Sequence, residues 1–186
     1  MNRSGIRRLV AVAVVAGAAS AVSPASAAHA GPPGPSVPTD IAVEAGNKVF
    51  MVGHAVGVQI HRCTATGGGY VWVTTPRADL YGDQGEFIAT HFAGPTWRAK
   101  DGSYVVGQRV NGVTVDPTAI PWLLLSASST TAGSDGDRLA GTNFIQRTAT
   151  TGGLAPATSL CQAGTVGTAV EVPYTADYHF WKSTGR

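Results

Sequence analysis

Ala55-Val-Gly-Val-Gln-Ile-His-Arg-Cys63 runs into Thr64-Ala-Thr-Gly-Gly-Gly69 and then into Tyr70-Val-Trp-Val-Thr74. The first segment alternates, with Val56, Val58 and Ile60 on one side and Gln59, His61 and Cys63 on the other. Successive side chains of a strand project to opposite faces, so this period of two reads as a half-buried strand. The glycine run is a turn and Tyr70–Thr74 is the return strand, a hairpin with a longer loop.

The same grammar continues in both directions. Lys48–Val52 is a short apolar run before the hairpin. Arg77–Tyr81 and Glu86–Phe92 flank the turn Gly82-Asp-Gln-Gly85. Asp101-Gly102, set between Trp97 and Ser103-Tyr-Val-Val106, is the strongest short hairpin signal in the chain. Gly107–Val115 stays strand-like, with Asn111-Gly112 as a second tight-turn candidate. Ile120-Pro-Trp-Leu-Leu-Leu-Ser126 reads as a buried strand with Pro121 at its start or on a bulge. Thr130–Gly141 is a polar loop and Phe144–Thr150 another strand. After Thr151-Gly-Gly153 and the Pro156–Cys161 segment, Val166–Val172 and Tyr174–Trp181 complete the series. The last of these sets Tyr174, Ala176, Tyr178 and Phe180 against Thr175, Asp177, His179 and Trp181. No window carries a 3.6-residue period, and abundant Gly, Thr and Val oppose helices. The expectation is an all-β domain, a single antiparallel β-sandwich or barrel of about nine or ten short strands.

Residues 1–30 stand apart. Arg3, Arg7 and Arg8 precede an uncharged apolar run, Leu9–Val22, and small-x-small sites end at Ala27 and Ala30. That order of parts is a secretory signal peptide, cleaved after Ala27 or Ala30. The run is shorter than the roughly 20 apolar residues of a membrane span, so no membrane insertion of the mature protein is expected. Residues 31–40 form an extended Pro/Gly-rich linker, and residues 41–186 a single β-rich domain. The chain has 13 Lys and Arg against 11 Asp and Glu. Loss of the three leader arginines leaves 10 against 11, a formal net of −1. The mature part lacks the clustered basic surface of a nucleic-acid binder. Localisation is therefore read as secreted or cell envelope. Cys63 and Cys161, an even pair in an exported chain, read as a disulfide. The chain-entropy model gives such a long loop about 4–5 kcal/mol. Free thiols or metal ligands are the alternatives, but neither cysteine has a CxxC or CxxH neighbour.

Chemistry-bearing side chains concentrate in His91-Phe-Ala-Gly-Pro-Thr-Trp-Arg-Ala-Lys-Asp-Gly-Ser103. Turn geometry accounts for Gly94-Pro95 and Asp101-Gly102. His91, Trp97, Arg98 and Lys100 remain and, together with Asp101, are the candidate ligand-binding residues, with Trp97 expected to face a ligand from an exposed loop after the Gly-Pro corner. A small molecule or surface glycan is the expected partner, held against aromatic rings. No cofactor is required by this reading. The alternative is a metal-assisted secreted enzyme in which copper or zinc is held by His91 with His54 or His61. Ser103 beside Asp101 makes no ordered triad with His91, and no GxSxG elbow is present. Glu86 and Asp101 lie on neighbouring segments and could approach each other as the carboxylate pair of glycoside cleavage, although Asp101 already has a turn role.

In order along the chain come Gly57-Val-Gln-Ile-His-Arg-Cys63, His91-Phe-Ala-Gly-Pro-Thr-Trp97, Asp101-Gly-Ser103, Ile120-Pro-Trp-Leu-Leu-Leu125, Ile145-Gln-Arg147, Thr151-Gly-Gly153 and Val172-Pro-Tyr-Thr-Ala-Asp-Tyr178. This ordered set resembles the DUF3455 family of secreted bacterial and fungal proteins over essentially the whole mature chain. The family pattern commonly has Tyr where this chain has His61. The resemblance implies secretion but no reaction. A dehydrogenase label on some relatives would require a strand–GxGxxG–helix unit, and this chain has none.

Overall fold

The computed structural model describes residue 1 and residues 31–185. The expected signal peptide and its expected cleavage sites fall outside the described residues. Eight strands follow one another: β1 Asn47–Thr66, β2 Gly69–Tyr81, β3 Phe87–Phe92, β4 Thr96–Ala99, β5 Tyr104–Val113, β6 Trp122–Thr131, β7 Phe144–Gly152 and β8 Ala169–Ser183. Each pairs antiparallel with the next, and β8 pairs back along β1 from Arg62↔Ala169 to Asn47↔Ser183. The sheet therefore closes into an up-and-down barrel and has no free edge. Among the described residues the helical elements are three short 3-10 turns, Thr39–Ile41, Thr158–Leu160 and Ala163–Thr165. No helix among them is long and apolar enough to cross a membrane.

The all-β expectation holds, but the strands are eight, not nine or ten, because separate apolar runs fuse. Lys48–Val52 and Ala55–Cys63 belong to one 20-residue strand. Gly53 carries the chain between them, where a Cβ would lie 2.7 Å from Leu80. Tyr70–Thr74 joins Arg77–Tyr81 across Pro76, and Ala169–Val172, the part of the Val166–Val172 segment that is strand, joins Tyr174–Trp181 across Pro173. Both prolines sit beyond the last rung of a neighbouring ladder. The β2–β3 pairing starts only at Ala78, and the β7–β8 pairing stops at Tyr174. A proline in such a place removes no ladder bond. Asn111-Gly112 is no turn. It lies inside β5 beside a bulge, where the register shifts between Arg109 and Asn111. Asp101-Gly102 does form the β4–β5 hairpin, with Trp97 opposite Val105.

The alternation on β1 is real, and its polar side points inward. Gln59, His61 and Cys63 are buried, whereas Val56 is 59% exposed and Val58 and Ile60 are half-buried. The barrel interior takes the large rings, and among the described residues no layer of helices covers the outside of β1, so the valines stay on the surface. Inside, Trp97, Tyr178, Phe180, Leu80 and Ile145 form the heart of one core. The lower end, carrying the β2–β3, β4–β5 and β6–β7 connections, is closed by Leu139, which is fully buried. Its backbone N–H donates to Ser103 Oγ at 3.0 Å. At the upper end Cys63 of β1 is bonded to Cys161, between two of the 3-10 turns, with Cα atoms 5.2 Å apart. That bridge ties the long β7–β8 connection to the barrel rim.

Residues 31–38 run without regular structure into the Thr39–Ile41 turn. Ile41 is fully buried, and its carbonyl accepts from Gln146 Nε2 at 2.6 Å. Asp40 O accepts from Asn111 Nδ2 at 2.9 Å. The end of this stretch is thus anchored to β5 and β7.

Candidate functional site

His91 on β3 and Trp97 on β4 are directly opposed in the ladder, so their side chains share one face. The turn between them requires Gly94, whose φ is +116°. Both point into the barrel, at 3% and 1% exposure. Their rings stack with centroids 4.2 Å apart and planes 6° from parallel. Tyr178 of β8 meets both edge-on, at 5.1 Å and 5.3 Å. Aromatic pairs of this kind add to area burial and leave little freedom for any of the three rings.

His91 Nδ1 lies 2.9 Å from Thr96 O. A carbonyl only accepts, so Nδ1 carries the hydrogen and the lone pair of the neutral ring is on Nε2. Burial pushes the imidazole pKa down to about 3. The bond to Thr96 opposes that shift, and the positive charge of Arg147 adds to it. Burial likewise raises the phenols of Tyr174 and Tyr178, whose oxygens are 3.4 Å apart.

Above this cluster lies a cavity of about 380 Å³ to which every strand contributes. Gln59, Thr74–Pro76, His91 and Trp97 come from β1 to β4, and Arg109, Leu123, Leu125, Arg147 and Tyr178 from β5 to β8. Gln59 is 4% exposed, and its Nε2 is buried without a hydrogen-bond partner among the described residues. Trp97 Nε1 is in the same condition. Native structures leave few such groups unpaired, and each calls for an explanation. Arg147 is half-buried and donates through Nε and Nη2 to Pro121 O, at 3.1 and 2.7 Å. Among the described residues neither Arg109 nor Arg147 has a carboxylate within 4.0 Å.

The five candidate ligand residues separate. His91 and Trp97 meet in the cavity wall, and Trp97 is interior, not in an exposed loop. The exposed Arg98 projects outward between the inward-facing Trp97 and Ala99. Lys100 and Asp101 lie at the opposite end of the barrel. There Asp101 accepts from Ser103 N at 3.0 Å, Ser103 Oγ at 2.6 Å and Arg138 N at 2.9 Å. The Ser103 hydroxyl above all holds the carboxyl pKa below its usual value; burial opposes it, and the Arg138 and Ser103 amides add to the lowering. Ser103 is fully buried in this brace, and so is remote from His91 as a nucleophile. Glu86 and Asp101 do border one open cleft, together with Lys100 and Arg138.

The three histidines of the metal reading are not brought together. His54 is on the outer face of β1, with Nε2 2.9 Å from Asp83 Oδ1 and Nδ1 2.7 Å from Asp177 Oδ1. Hydrogen bonds to Asp83 and then Asp177 raise its pKa. His61 faces inward, accepts from the Thr74 hydroxyl at Nδ1 and donates from Nε2 to Gly153 O. Among the described residues no three His, Cys, Asp or Glu side chains converge to hold a metal ion.

Gln59, Arg109, Arg147 and Tyr178 escape the sequence reading as site residues. The available signal was charge and amide in strands otherwise built for burial: Arg147 interrupts Phe144–Thr150, and Gln59 sits on the face shared by His61 and Cys63. The chain belongs to the DUF3455 family, described as proteins of unknown function, whose model matches residues 44–182. No curated protein and no solved structure matches the chain.

Proposed function

We propose that this DUF3455 member is a secreted or cell-envelope binding domain that takes a small molecule into the upper cavity of its barrel. The observation that carries the reading is the cavity itself, whose wall includes Gln59, a residue with a buried amide nitrogen that has no partner among the described residues, beside tightly packed rings. Its volume falls within the roughly 300–1,000 Å³ of ordinary ligand pockets. Apolar walls with a few polar groups are what such pockets use for affinity and orientation. Trp97 contributes from inside, which suits a small enclosed ligand better than a polymer laid on a flat aromatic surface.

Binding is favoured over catalysis by the protonation states. A general acid or base works best with a pKa near the working pH. His91 is held near 3, and both tyrosines are held above their usual range, so these groups do not exchange protons readily at neutral pH. Export is supported by the leader-like residues 1–30 and by a disulfide that spans 98 residues.

A fragment screen of the purified protein by ligand-observed NMR tests the reading. Bound fragments are expected to be lost in Leu123→Trp, which fills the cavity, with the fold retained by circular dichroism. Fragments that bind equally to the variant, or no binding at all, would overturn it.

A further inference from the structure

We infer that the ligand of the upper cavity is a small organic carboxylate, held at its charged end by Arg147 and the Gln59 amide and along its body by the apolar wall. The inference rests on the ligand-binding reading above and goes further by assigning the chemical class. Hydrogen-bond polarity carries it. No Asp or Glu lines the cavity among the described residues, whereas two guanidinium groups do. Arginine has five N–H donors and no acceptor. Arg147 commits Nε–H and one donor of Nη2 to Pro121 O and a further donor to the Tyr178 hydroxyl, which leaves two. Gln59 Nε2 and Trp97 Nε1 add buried N–H groups with nothing to donate to.

A half-buried cation without a carboxylate neighbour and buried donors without acceptors are each unfavourable in an empty site. One anionic ligand with two acceptor oxygens relieves both together. The planar fork of arginine matches a carboxylate in two parallel bonds, a geometry that a neutral amide cannot reproduce. The organic body follows from the rest of the wall. Leu123, Leu125, Pro76 and Pro95 offer only apolar contact, and 380 Å³ exceeds the space of a bare inorganic ion. Arg109, exposed and without a carboxylate partner among the described residues, supplies a second positive charge to attract an anion to the cavity.

Calorimetric titration of the full chain with four probes tests the assignment: benzoate, its neutral isostere benzamide, benzylamine and inorganic phosphate. Benzoate is expected to bind at least tenfold more tightly than benzamide, with benzylamine and phosphate weaker still. Arg147→Gln should abolish the preference for benzoate over benzamide. Because Arg147 also braces Pro121, Arg109→Gln serves as the second variant. It is expected to keep the fold and weaken benzoate several-fold while leaving benzamide unchanged. Benzamide or benzylamine binding as well as benzoate would overturn the carboxylate assignment and leave the cavity reading standing. Phosphate binding as tightly as benzoate would overturn the organic part. If none of the probes binds, the assignment fails, and the fragment screen with Leu123→Trp then decides separately whether the cavity binds anything.

Discussion

The two ends of the barrel share the thirteen residues His91–Ser103 and use them in opposite ways. At the lower end Asp101 accepts three hydrogen bonds, and Ser103 Oγ, donating to Asp101, in turn accepts from the backbone N–H of the plug residue Leu139. At the upper end His91 and Trp97 are packed as tightly, yet Trp97 Nε1 and the neighbouring Gln59 Nε2 have no partner. Polar groups that are fully paired specify a closed structure; polar groups buried and unpaired carry a cost that a ligand can offset. The contrast separates a brace from a site, although both contain an aromatic or acidic residue that stands out in the sequence.

The comparison breaks most visibly if the plug is removed. Leu139→Ala should cost about 2–5 kcal/mol, as for other large-to-small changes at fully buried positions. Chemical denaturation would show the loss, with the fragment-binding profile of the upper cavity unchanged in the folded fraction. Lost binding at full folding would mean that the ends are not separable.

Acid sharpens the difference at the upper end. His91 has a folded pKa of about 3, below the roughly 6.5 of an unfolded histidine. The unfolded chain therefore binds the extra proton, and the stability that His91 contributes above pH 6.5 is lost as pH falls toward 3, at up to about 1.4 kcal/mol per pH unit. His91→Phe keeps a ring for Trp97 to stack on and should flatten this part of the stability profile. An unchanged profile would show that His91 is not held neutral by burial. His54 acts with the opposite sign: its raised pKa gives a contribution present below about pH 6.5 and lost as pH rises through the folded value.

The smallest effects come from the two polar groups themselves. Asp101→Asn, which weakens a three-bond brace, should cost roughly 1–3 kcal/mol. Gln59→Leu removes an unpartnered buried donor and should be neutral or slightly stabilising, while weakening ligand binding. Thermal melts of the two variants, side by side, check the pair. A Gln59→Leu loss as large as that of Asp101→Asn would place Gln59 in the brace class.

Local patterns in the sequence carry the strands and turns well. The alternation of Ala55–Cys63, the Asp101-Gly102 hairpin and the Cys63–Cys161 bridge all have counterparts in the fold, because period, turn chemistry and cysteine pairing are properties of short stretches or residue counts. Which side of β1 turns inward was not legible, since that depends on β8 closing the sheet more than a hundred residues later. A strand of Val56, Val58 and Ile60 facing out offends simple hydrophobic sorting, and only the wide rings of Trp97 and Tyr178 inside explain it. The cavity was half legible. His91 and Trp97 stood out by composition, whereas Gln59, Arg109 and Arg147 meet them only through registers set by the closed sheet.

The indole N–H of Trp97 reports most directly on the central claim that the upper end is a ligand site. Its 15N–1H resonance, followed during a benzoate titration of labelled protein, should move to saturation along a single binding curve, while the backbone amides of Ser103 and Arg138 in the lower brace stay fixed. A Trp97 resonance that does not move, or a response centred on Ser103 and Arg138, would contradict the account.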